Sequence, residues 1–74
     1  MDDLHKEVAD LWDWQNHGDS FSCMLYTLFQ KADYNNEKIL AAAFPRHALA
    51  LRKWSAAGNF GEDLFKEYGI DKNG

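Results

Sequence analysis

The residues of this chain best equipped for chemistry lie within eight positions: His17, Asp19, Ser20 and Cys23, around the tetrapeptide Gly18-Asp19-Ser20-Phe21. A hydroxyl or thiol nucleophile needs a neighbouring base, a group that orients the base and donors for the developing oxyanion. Downstream of Ser20 the only histidine is His47, so the supply of a base is thin. The same four residue types are also common where one helix stops and another begins. In that reading Gly18 supplies the left-handed residue that ends a first helix, and Asp19 or Ser20 caps a second. Helix punctuation is therefore the expectation, and no catalytic residue is assigned.

Other ligating groups are equally sparse. His5, His17 and His47 lack the spacing of a metal site, and one cysteine permits neither an internal disulfide nor a thiolate zinc centre. No metal and no cofactor is expected. Cys23 has no basic neighbour in sequence to make its thiol reactive. A cysteine-poor small domain with an acidic N-terminus and no long apolar run is expected in the cytoplasm, away from membranes.

Charge offers candidate binding residues. Net charge is −4, yet residues 1–20 carry six acids against Lys6, while residues 21–57 carry five bases against Asp33 and Glu37. Asp3, Glu7, Asp10 and Asp13 recur at helical spacing with Trp14 beside them, an acidic strip with an aromatic anchor for a basic partner. Two further surfaces are candidates. Tyr26, Cys23 and Gln30 lie opposite the main apolar stripe of the second helix and suit a homodimer contact. Arg46, Arg52 and Lys53 form a modest basic face on a fourth helix, with His47 expected inward and bonded to a backbone carbonyl. Nucleic-acid binding there is disfavoured by the net acidity.

The elements that must position these groups are helices throughout. Leu4, Val8, Leu11, Trp12 and Gln15 share one side of a first helix that Asp2 or Asp3 can cap. Phe21, Leu25, Leu28, Phe29 and Ala32, with Met24 at the edge, form the stripe of a second. Asp33 caps a third, with Ile39, Leu40, Ala43 and Phe44 apolar, and Pro45 turns the chain into a fourth with Ala48, Leu51 and Trp54 inward and Gly58 as its stop. Phe60, Leu64, Phe65 and Tyr68 belong to a short fifth helix closed by Gly69-Ile70. Residues 1–74 therefore form a single all-α domain: four short helices and a short C-terminal one.

Two resemblances attach to these residues. Gly18-Asp19-Ser20-Phe21 is similar to the nucleophile block of GDSL-type esterases, but those enzymes place the serine after a strand, where this chain has a helix end. The stretch from Gly18 to Trp54, through Lys31-Ala32-Asp33 and Ala43-Phe44-Pro45, resembles short helical proteins of tailed phages and prophages. That resemblance implies a phage origin and, for a small acidic protein, an accessory factor that occludes a host complex in the anti-CRISPR manner. It implies no particular site residue. A self-associating assembly module is the competing expectation.

Overall fold

The structure, a computed structural model, describes residues 4–58 and 61–70. Five helices follow one another: α1 (His5–Gln15), α2 (Phe21–Lys31), α3 (Tyr34–Ala43), α4 (Pro45–Ala56) and α5 (Glu62–Glu67). The protein is all-α, with no strand among the described residues.

Most boundaries follow from local chemistry. Ser20 caps α2 by accepting a hydrogen bond from the Cys23 amide, and Asp33 caps α3 through the Asn36 amide at 2.8 Å. Phe44 ends α3 and precedes α4, with Pro45 at the first helical position, where its missing N–H is no loss. At the end of α5 the Ile70 amide reaches back to the Phe65 carbonyl and Gly69 has a φ of 72°, the Schellman ending expected.

The start and stop of α1 differ from expectation. Leu4 occupies the N-cap position without a side-chain cap, and Asp2 and Asp3 lie outside the described residues. The left-handed residue at the other end is His17, with φ of 69°, one position before Gly18. The His17 amide bonds the Trp14 carbonyl and the Gly18 amide bonds the Asp13 carbonyl, so the closing motif is present with histidine in the usual glycine seat. Gly18 is needed for space instead: a Cβ there would sit 2.8 Å from the Asp13 carbonyl oxygen and 3.1 Å from the Cys23 sulfur. The end of α4 also departs from a glycine stop, because Ala57 leaves the helix in extended geometry before Gly58. Phe60 lies outside the described residues.

Helix α1 is the hub, packing against α2, α4 and α5, while α3 leans mainly on α4. Leu4, Val8 and Leu11 of α1 are buried with Leu25, Tyr26 and Phe29 of α2, Ala50 and Leu51 of α4, and Leu64 and Phe65 of α5. Trp54 is half-buried over this core and donates to Gln15 Oε1 at 2.9 Å. Gly61, at φ 87°, lies against the Trp54 indole, where any Cβ would collide with the ring.

The face α2 buries is not the one its periodicity suggests. Leu25 and Phe29 are inward as expected, but so are Cys23 and Tyr26, whereas Phe21, Leu28 and Met24 are turned to solvent. The apolar arc of α2, from Met24 round to Tyr26, is wider than one contact surface can cover. Tyr26 settles the orientation, because only when inward can its hydroxyl donate to the Glu7 carbonyl at 2.8 Å. Ile39 and Ala43 of α3 are likewise exposed, and Leu40 alone of the helix's large apolar residues packs against the core.

Candidate interaction surfaces

Five of the residues nominated from sequence, Glu7, Trp14, Tyr26, Arg46 and His47, come together and pair with groups of the fold. The Glu7 side chain projects from α1 towards α4, and Arg46, in the first turn of α4, meets it with two bonds: Nε to Oε2 and an Nη to Oε1, both at 3.1 Å. Glu7 is only 7% exposed, whereas the Arg46 side chain remains about half open to water at 55%. Burial alone would raise the Glu7 carboxyl. The Arg46 hydrogen bonds and charge, with help from backbone bonding and the nearby His47, outweigh it and hold the group below its ordinary value of 4.5. Glu7 therefore does not belong to an exposed acidic strip, since its charge is matched within the fold.

Trp14 is an internal group as well. Its indole N–H donates to Thr27 Oγ1 at 3.0 Å, and its ring packs edge-on to Trp54 and tilted against Tyr26, with centroids 5.4 and 5.7 Å apart. It is half-buried at the junction of α1, α2 and α4, where it cannot anchor a partner as a free aromatic would. Tyr26, nominated for a dimer contact, is wholly buried. Desolvation, then the charges of Asp10 and Glu7, push its hydroxyl well above the usual phenol range.

His47 is half-buried between the Tyr26 and Phe44 rings, and its Nε2 shares a 3.1 Å hydrogen bond with Ser22 Oγ, not with a backbone carbonyl. The base thus lies beside Ser22, while Ser20 caps α2. Ser22–His47 joins α2 to α4 beside the Glu7–Arg46 pair. Of the remaining acids, Asp10 is largely covered and meets Lys6 Nζ at 3.4 Å, Asp13 is exposed, and Asp3 lies outside the described residues.

Among the described residues, two candidate surfaces are open to a partner. One is a cleft of about 570 Å³ between the C-terminal part of α2, α3 and α4. Phe29 and Leu51 contribute apolar lining, and Gln30, Lys38 and Arg52 contribute polar groups, with Lys38 Nζ 5.3 Å from the centre of the Tyr34 ring. It therefore gathers Gln30 and Arg52 from two separately nominated faces, leaving Lys53 outside its lining. Glu37 also lines it, so the cleft has no single charge preference. Neither Ser22 nor His47 opens into it.

The other surface was missed in the sequence. Phe21, Met24 and Leu28 of α2 are 69%, 64% and 51% exposed, Ile39 of α3 is also mostly open to solvent, and so is Tyr34, which lines the cleft. The signal for it was present: α2 carries more apolar residues than one face can bury, so an exposed set had to be left over.

Among the described residues no three histidine, cysteine or acidic side chains gather as a metal would require, and no helix is long and apolar enough to cross a membrane. No protein-family model, curated protein or solved structure matches this chain.

Proposed function

We propose that this chain is a small non-enzymatic binding protein, and that its partner docks on exposed apolar residues of α2 and α3. The observation that carries this reading is the exposure of Phe21, Met24, Leu28, Tyr34 and Ile39, all on two consecutive helices. A 74-residue chain has little apolar surface to spare for its core, so five large side chains left outside favour a second macromolecule as their cover. The acidic strip is replaced in this role, because Glu7 and Trp14 are held by contacts within the fold.

The narrower form of the proposal is an accessory factor that occludes a complex in the cytoplasm of a phage-infected bacterium, an anti-defence role of the anti-CRISPR type. Its support is the resemblance of residues 18–54 to helical phage proteins. Nucleic acid is the weaker alternative, since Arg46 is engaged by Glu7 and the basic face of α4 retains Arg52 and Lys53 on a net acidic protein. The Ser22–His47 pair lies outside the lining of the cleft, and the proposal gives it no catalytic role.

Affinity capture from nuclease-treated bacterial lysate tests the reading. The wild-type chain should retain a stoichiometric protein partner, and a variant carrying Met24→Lys, Leu28→Glu and Ile39→Lys should lose it. Equal capture by the two proteins would overturn the assignment of this surface.

A further inference from the structure

Phe21, Met24 and Leu28 recur at i, i+3 and i+7, so they form a single ridge along α2, about 10 Å long. The ridge ends between opposite charges. Asp19 is exposed just before the Ser20 cap, and Lys31 is exposed as the last residue of α2. Neither makes an ion pair with another described residue.

Acid, apolar ridge and base in that order make a self-complementary pattern. A two-fold axis between two copies of α2, perpendicular to both and level with the Met24–Leu25 step, lays the helix antiparallel beside its copy. Phe21 then faces Leu28 of the second copy, and the two Met24 side chains meet beside the axis. Asp19 lies just before the N-cap of one helix and Lys31 ends the other, so the antiparallel arrangement sets opposite charges beside each other at both ends. Such an isologous contact requires each patch to carry both halves of every pair, and this patch does. The antiparallel arrangement also sets each helix N-terminus beside the other's C-terminus, which the helix dipoles favour.

We propose that α2 pairs with α2 of a second copy of this chain, forming a two-fold dimer through Phe21, Met24 and Leu28 with Asp19–Lys31 ion pairs at both ends. This rests on the reading of the apolar surface as an interface and names one occupant for its α2 half. Tyr34 and Ile39 on α3 stay available to another partner. The three side chains together offer on the order of 400 Å², about half of the ~800 Å² per partner in a standard interface. An interface of that size belongs with weak, reversible association.

Sedimentation equilibrium of the full chain, between about 5 and 500 µM, tests the pairing. Wild type should show reversible monomer–dimer exchange. Leu28→Glu or Met24→Lys should raise Kd at least about 10-fold, with an unchanged far-ultraviolet dichroism spectrum because both positions are exposed. Asp19→Lys and Lys31→Asp should each weaken the dimer about 3-fold, and the two together should restore it. A monomer throughout the range, or a dimer indifferent to both ridge substitutions, would overturn the pairing. If the chain is monomeric yet the Met24→Lys/Leu28→Glu/Ile39→Lys variant loses its captured partner, the pairing fails and the interface reading stands. If the dimer forms as described and capture is unaffected, the pairing stands and the partner reading fails.

Discussion

The two halves of the Glu7–Arg46 pair are unequal, because the carboxylate is buried and the guanidinium is half in water. Removing Arg46 strands a buried acceptor, whereas Glu7→Gln keeps an oxygen that can accept from Arg46 and leaves no buried charge unmatched. Arg46→Met should therefore lower unfolding stability by about 2–3 kcal/mol, and Glu7→Gln by about 1 kcal/mol. Acid separates them further. The Glu7 carboxyl sits below its ordinary 4.5 in the fold, so its contribution is fully present above that pH. That contribution is lost as pH falls through the folded value, since protonation then favours the unfolded chain. Urea unfolding at pH 7 and pH 3 should show a steeper acid loss for wild type than for Glu7→Gln, and equal losses would contradict the arrangement. At this scale the sequence displayed the charges but not their destinations. Glu7 and Arg46 are separated by 39 positions, and helical spacing on α1 groups Glu7 with Asp10 and Asp13 without saying which of them turns inward.

Helix α2 offers the clearest test of how an element is oriented. Its Leu25 and Leu28 are three positions apart and identical in chemistry, yet one is buried and the other half exposed. Leu25→Ala should cost about 2–4 kcal/mol, through lost burial plus the cavity left behind. Leu28→Ala, by contrast, should change stability by no more than about 0.5 kcal/mol at concentrations where the chain is monomeric. Thermal or urea unfolding of the two variants measures the difference directly, and a costly Leu28→Ala would mean that the helix is rotated towards its outer ridge. The existence of all five helices, a cap for α2 at Asp19 or Ser20, the cap at Asp33, the Phe44-Pro45 corner and the Gly69-Ile70 ending were legible in advance. Each depends on residues within about one helical turn of one another. The buried face of α2 was not, because a broad apolar arc has no unique inward side until α1 supplies the carbonyl that Tyr26 bonds.

Across the whole molecule, α1 lies at the centre against α2, α4 and α5, and α3 joins it through α4. Unfolding should consequently be a single transition, in which tryptophan fluorescence and far-ultraviolet dichroism have the same midpoint. Leu11→Ala, at a fully buried position of α1, should move both midpoints down together by the equivalent of about 2–4 kcal/mol. Separated midpoints would show that an element melts independently of α1. By itself the sequence determined an all-α chain and where its turns fall, because helix periodicity and capping act over a few neighbouring residues. Only the tertiary structure decided which acids are matched internally, where His47 and Trp14 find their partners, and which apolar residues remain outside. Those outcomes depend on distant segments competing for the same limited buried volume, and no local pattern records which of them wins.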